Sequence, residues 1–460
     1  MVGNTSVKKA YLQAIGSGMT GSAINAVTAI VLLWLLNVVL GKDGFGNIIL
    51  ALVVLDTITS IVSSGFVSVI LYRVSRLWPY AEGQTRLGRS MLGTVLIYGS
   101  LLSSLVALVV AVLSPTLATL FGEHELQIWL YIMAVIIPLD CARRMLVESC
   151  RAQQRIHLAV FYTDILPGLL KLVGVGLVYL FAANTEALAY AYICAQAIAV
   201  FGLLWVLRPI LSLRNSAITR TDFYYGLKLT FNRLANEPSR TIDVMIVGGL
   251  SSAGVTAEYA LGSRLAKLLV VLKTAFARLL IPRLGLGMQK KDRVLIDREY
   301  YFSRLFSLSA TLIGVTGISA IGPYALSLFG DYKQAFPILM ILSAAMVVRV
   351  GVGSSGGYLN MAGHAGFTLI STLMGMIVNV IFAVLLVPTL SGTGGALSVL
   401  LATIVVQAAI GGFLFVHERF SVIDHSSAFA VASSAVCALL AAFGILSHVV
   451  VALLLAFVTI

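Results

Sequence analysis

Four ionisable residues, Arg233, Glu237, Arg240 and Asp243, follow one another at spacings of four, three and three inside one apolar stretch of the chain. In a helix those spacings put all four on one face. A charge at bilayer depth costs at least about 2.5–3.5 kcal/mol on insertion scales, so that face turns to a partner or a wet cavity rather than to lipid. Two chemistries fit: a self-neutralising ladder of ion pairs that fixes the helix in place, or a cavity-lining stripe that binds an anion. The next stretch returns through the same layer carrying Glu258, Arg264 and Lys267, the last two neighbours at spacing three. Counted along their helices, Arg233, Arg240, Arg264 and Lys267 fall between the two membrane surfaces, where snorkelling does not account for them.

Further charges stand alone: Asp56 in the second apolar run, Asp164 and Lys171 in the fifth, and Arg349 in the tenth, read as another buried charge. Asp164 and Lys171 lie two turns apart on one face and read equally as a structural pair or as ligand contacts. The basic set Arg233, Arg240, Arg264, Lys267, Lys171 and Arg349 would bind an anion. The acidic set Asp56, Asp164, Glu237, Asp243 and Glu258 would carry a proton or sodium ion. Cys141, Cys150, Cys194 and Cys437 lack metal-ligand spacing, so no metal site and no disulfide framework is expected. The string at 83–90 imitates a phosphate-binding loop with Arg89 in place of the lysine, and the one at 351–356 imitates a dinucleotide fingerprint without a preceding strand. Neither implies a cofactor, and the second reads as close helix packing by small residues inside a membrane helix.

The elements that position these residues follow from composition. Of 460 residues, 59% are hydrophobic and 11% charged, and the mean hydropathy is +0.99. A soluble domain carries about a quarter charged residues, so the bilayer is the solvent here. Apolar runs recur near 15–40, 48–72, 90–113, 126–142, 159–182, 187–207, 224–250, 255–280, 305–329, 335–359, 366–390, 395–416 and 428–446, with a short final run at 449–460. The net charge of +12 sits in short basic clusters between runs, a topology signal and not a nucleic-acid one. With Lys8 and Lys9 inside, Arg73, Arg76, Arg86 and Arg89, then Arg143, Arg144, Arg151 and Arg155, then Arg208, Arg214 and Arg220, all fall on the cytoplasmic side. The connections are too short to hold a soluble catalytic domain.

The segment Pro115 to Glu123 returns as Pro323 to Asp331, at an offset of 208 residues. Leu40 to Gly44 matches Leu250 to Gly254, and His157 matches His364, at nearly the same offset. Six helices per copy give parallel halves with a substrate site between them. The expected organisation is a six-helix bundle over 1–207, a cytoplasmic linker at 208–220, a second bundle over 221–416, and additional transmembrane helices over 417–460.

With these features in this order, the chain resembles the polysaccharide flippases, the Wzx-type exporters of the multidrug/oligosaccharidyl-lipid/polysaccharide superfamily. The resemblance rests on 40–52 (LGKDGFGNIILAL), 241–265 (TIDVMIVGGLSSAGVTAEYALGSRL), 326–342 (LSLFGDYKQAFPILMIL) and 379–402 (NVIFAVLLVPTLSGTGGALSVLLA). It implies an all-α polytopic membrane protein of about 13–14 transmembrane helices, two parallel six-helix bundles plus C-terminal helices. It further implies alternating access in the cytoplasmic membrane, with an undecaprenyl-pyrophosphate-linked oligosaccharide moved to the outer leaflet. Asp243 matches the family's aspartate on the seventh helix, and arginines of the seventh and eighth helices suit a pyrophosphate. Implied partners are that lipid-linked sugar, the bilayer, a polysaccharide polymerase and export machinery, with no nucleic acid. Lipid II flippases and cation-coupled multidrug exporters share the architecture, and a membrane-embedded polymerase or glycosyltransferase is the enzymatic alternative.

Overall fold

The computed structural model describes residues 3–71, 82–153, 155–181, 185–211, 241–270, 292–353, 355–417 and 425–442, with isolated positions between 224 and 234. Most of these residues are helical, with no strand among them. The short final run at 449–460 lies outside them.

Helix α1 spans Gly3–Val69 and α2 spans Glu82–Phe121. At 1.5 Å per residue the 67 residues of α1 would reach about 100 Å, far beyond a ~30 Å hydrocarbon layer. The helix is broken at Gly41 (φ 69, ψ −179), the left-handed region that glycine enters without steric cost. That break divides it where the first two apolar runs were expected to part. After α2 come α3 (Glu125–Met133), α4 (Ile136–Ala152) and α5 (Ile156–Val160), a π-helical turn over Phe161–Ile165, then α6 (Leu166–Leu180) and α7 (Thr185–Leu207).

The second half holds α8 (Ile242–Leu250), α9 (Ala253–Leu268), α10 (Arg293–Ser327), α11 (Ala335–Gly351), α12 (Ser355–Met361), α13 (Ala365–His417) and α14 (His425–Ala442). Helix α13 is broken at Ser391 (φ 51, ψ −134). A Cβ on Gly394 would lie 2.3 Å from the Leu386 carbonyl oxygen. Residues eight apart in a straight helix are separated by about 12 Å, so the chain doubles back here. Six helical segments among the described residues are long and apolar enough to cross a membrane, two of them being the broken α1 and α13.

The repeat read from sequence has matching backbone punctuation. Helices α2 and α10 carry Pro115 and Pro323 near their ends. Each is followed by a left-handed glycine, Gly122 (φ 69) and Gly330 (φ 105). The break at Gly41 has its counterpart at Ser251 (φ −134, ψ 175), between α8 and α9. His157 lies in the first turn of α5 and His364 directly precedes α13.

By contact the chain divides into two compact units, Met1–Pro238 and Ser239–Ile460. Gly226 and Thr230, beyond the 208–220 linker, pack on Gly65 and Val69 of α1 and so belong to the first. In that unit α4 is central, packed against α1, α2 and α7. In the second, α11 is central, against α9, α10, α13 and α14, and nearly every residue from Ala335 to Val347 is buried. A helix apolar all round belongs inside its bundle in this way.

Three expectations are corrected by the backbone. The fourth apolar run does not end at 142: after a break at Ala134 and Val135, α4 continues to Ala152, so Arg143 and Arg144 are helical rather than in a cytoplasmic turn. Their neighbours Met145, Leu146 and Val147 are buried, which is what prolongs the helix. The string 351–356 is not inside a helix, because α11 stops at Gly351 and Gly353 turns left-handed (φ 68). The tight-packing reading survives at Gly351 itself, where a Cβ would lie 2.6 Å from Val431 of α14. The seventh helix is not continuous through the ionisable quartet, since α8 begins at Ile242 after a turn at Thr241 (φ −133).

Candidate functional site

In the first unit, polar side chains from three elements and a backbone carbonyl from a fourth meet around Asp140 on α4. Its Oδ1 accepts hydrogen bonds from Arg143 Nε (3.0 Å) and Nη2 (2.6 Å) and from Gln196 Nε2 of α7 (2.5 Å). Its Oδ2 accepts from Arg144 Nε at 2.6 Å. Arg143 Nη1 also donates to the Tyr162 carbonyl in the π-helical turn, at 3.2 Å. Arg144 reaches α1 with its two remaining nitrogens: Nη1 donates to Ser60 Oγ (2.7 Å) and Nη2 to Asp56 Oδ1 (2.5 Å). The spacing explains the geometry, since positions three and four beyond Asp140 are its neighbours on the α4 surface.

The network contains two acids, Asp56 and Asp140, and two bases, Arg143 and Arg144, so it carries no net charge. Counted along their helices from the nearest turns, Asp56 lies about 22 Å from Gly41, Asp140 about 22 Å from Glu125 and Gln196 about 15 Å from Glu186. The cluster therefore sits at hydrocarbon depth, where neutralising its charges lowers the cost of burial. Asp56, an expected cation carrier, is here an arginine partner with a side chain 62% exposed. Asp140, Arg143, Arg144 and Gln196 are functional candidates that the sequence reading did not single out.

Asp164 occupies the π-helical turn, a local form frequent at functional sites, with its carboxylate toward Gly21 of α1. Lys171 on α6 is half-buried, with its ammonium 5.2 Å from the centre of the Tyr192 ring of α7.

In the second unit, Asp243 on α8 is 6% exposed, and its Oδ2 accepts the Tyr259 hydroxyl of α9 at 2.9 Å. Its Oδ1 is buried and makes no hydrogen bond among the described residues. Glu258, next to Tyr259, is also buried. Arg264 is half-buried, Lys267 is exposed, and Arg349 in the last turn of α11 is exposed rather than buried as expected. Arg233, Glu237 and Arg240 lie outside the described residues.

Tyr259→Phe is expected to lower stability by about 1–3 kcal/mol, because it removes the bond to a buried carboxylate whose other oxygen already has none. The readout is the thermal unfolding midpoint in detergent, which should fall relative to wild type.

Comparison with known proteins places this architecture. A multidrug resistance MATE transporter of the MOP superfamily in its inward-facing conformation superposes with a TM-score of 0.71 at 14% identity, covering 86% of this chain and 95% of that one. The lipid II flippase MurJ, in an inward closed conformation, gives a TM-score of 0.69 at 12% identity, covering 97% and 98%. A MOP superfamily transporter from Pyrococcus furiosus, described with a binding pocket of reversed polarity, gives 0.62 at 16%, covering 90% and 96%. No curated protein sequence matches the chain. The fold is thus that of the MOP transporters, an all-α multi-pass membrane architecture. A family model described as polysaccharide biosynthesis protein matches residues 35–295, more than half of the chain, and the chain belongs to that family.

Proposed function

We propose that the chain is a flippase that moves a polyprenyl-pyrophosphate-linked oligosaccharide, an O-antigen or exopolysaccharide repeat unit, across the cytoplasmic membrane. The match to the polysaccharide biosynthesis family over 35–295 carries this reading, and the fold shared with MATE transporters and MurJ supports it. The chain acts as a transporter rather than an enzyme, by alternating access of its two halves, which divide at Pro238 and Ser239 rather than at the 208–220 linker. A polymerase and export machinery act next on its product.

Transport draws on an ion gradient or on membrane potential, worth about 2.3 kcal/mol per charge per 100 mV. Of the candidate carriers Asp56, Asp164, Glu237, Asp243 and Glu258, Asp243 is the one we assign to the cation, because one of its carboxylate oxygens is buried without a hydrogen bond among the described residues. A lipid II flippase is the second reading, favoured by the 97% coverage of this chain by MurJ. Both substrates present a pyrophosphate on a polyprenyl chain.

Deletion of the gene should abolish surface polysaccharide and leave its lipid-linked repeat unit in the inner leaflet, with peptidoglycan synthesis unaffected. Arrested peptidoglycan synthesis would instead select the lipid II reading. With the N-terminus inside, reporter fusions at Asp43, Glu123, Glu186 and Asp331 should lie outside, and those at Glu82, Gln153, Ala217 and Lys290 inside.

A further inference from the structure

The three hydrogen-bonding arms of Arg144 are not equivalent. Nε is committed to Asp140, whose side chain is 11% exposed. Nη1 donates to Ser60, a half-buried neutral hydroxyl. Nη2 alone holds a partner that is mostly open, Asp56 at 62% exposure, and the arginine itself is 27% exposed. Asp56 lies about 22 Å below the outer turn at Gly41, so its open face is directed to water, because a carboxylate facing hydrocarbon at that depth would not be tolerated. Asp140, Ser60 and the α4 backbone fix the guanidinium whether or not Asp56 is present. A fixed fork with one water-accessible arm is suited to phosphate oxygens.

We propose that Arg144 is a diphosphate-binding residue and that Asp56 is its internal stand-in anion, displaced when a diphosphate of the substrate arrives. No bond is made or broken covalently: the Arg144 Nη2 hydrogen bond passes from the Asp56 carboxylate to a phosphate oxygen. While Asp56 holds the arm, only the fraction of molecules with the arm released is competent to bind. The observed affinity is reduced by that fraction. This assignment deepens the flippase reading by naming a headgroup contact, and it rests on that reading only for the identity of the ligand's lipid.

The test uses the purified full chain in phosphatidylcholine nanodiscs, free of anionic lipid, titrated with inorganic pyrophosphate and, separately, with farnesyl pyrophosphate. Wild type should bind weakly, and Asp56→Asn should bind about tenfold tighter if the carboxylate holds the arm roughly nine-tenths of the time. Arg144→Gln should abolish binding, and the gain from Asp56→Asn should vanish in the Asp56→Asn, Arg144→Gln double variant. That dependence separates displacement from simple removal of a negative charge, which would raise affinity in either background. If Arg144→Gln does not yield folded protein, Arg144→Lys serves, and the Asp56→Asn gain should shrink severalfold because an ammonium lacks the fork. Tighter binding of farnesyl pyrophosphate assigns the site to a lipid-borne headgroup, and equal binding assigns it to the diphosphate alone; both uphold it. No gain in Asp56→Asn, or an equal gain without Arg144, overturns the proposal. Binding of the inorganic probe does not require transport, so loss of the flippase reading and loss of this site are separate outcomes.

Discussion

Asp140→Asn is expected to destabilise the protein by about 3–5 kcal/mol. Asp140 is the one anion shared by Arg143 and Arg144 among the described residues, and its loss leaves Arg143, 13% exposed, with no acid among them in hydrogen-bonding range. Arg144 keeps Asp56 as its one acid, beside the Ser60 hydroxyl. An amide oxygen at the Oδ1 position still accepts from Gln196, but the amide NH2 then faces Arg144 Nε, donor against donor, and the neutral group cannot compensate two guanidinium charges at hydrocarbon depth. Asp56→Asn removes the same charge from a side chain 62% exposed, where water screens it, and should cost well under about 1 kcal/mol. Unfolding midpoints of the two variants in the same detergent check the contrast. Equal midpoints would mean that the Asp140 cluster does not hold α1, α4, α7 and the π-helical turn together.

Gly394→Ala should cost more than the about 1–3 kcal/mol usual for overpacking. The added Cβ would meet Leu386 backbone atoms, the carbonyl oxygen at 2.3 Å and its carbon at 2.5 Å. Backbone cannot swing aside as a side chain can, so the hairpin at Ser391 must open. Gly411→Ala lies in the same helix with nothing within 4 Å of the new Cβ. There, replacing a helix-interior glycine should stabilise by about 0.5–1 kcal/mol. Opposite shifts of the unfolding midpoint for one kind of substitution in one helix are the expected result.

How far the sequence could be read depended on which signal each feature leaves. Helical membrane spans announce themselves through apolar length, and the breaks at Gly41 and Ser391 fall between runs separated on that basis alone. The repeat was legible because its turn residues Gly122 and Gly330 are fixed by backbone conformation. Arg143 and Arg144 were misplaced because basic residues after an apolar run ordinarily mark its cytoplasmic end. The missed signal was Asp140 at three and four residues before them, followed by Met145, Leu146 and Val147, a charged patch inside a continuing helix. Gln196 leaves no such signal, because an isolated amide in an apolar run acquires its role only when α7 is packed on α4. The break at Thr241 did leave a signal, Pro238 three residues before it, a residue that ends or kinks a helix, and it interrupts the spacing on which the one-face reading of the quartet depended.

Transport of a lipid-linked saccharide is tested most directly by reconstitution. Purified protein in vesicles carrying a polyprenyl-pyrophosphate-linked oligosaccharide in one leaflet, with an imposed proton or sodium gradient, should deliver the saccharide to the opposite leaflet, read by its accessibility to an added glycosidase. Delivery should stop when gradient and potential are both abolished. An accessible fraction no greater than in protein-free vesicles, under either gradient and with the natural repeat unit, would contradict the flippase reading.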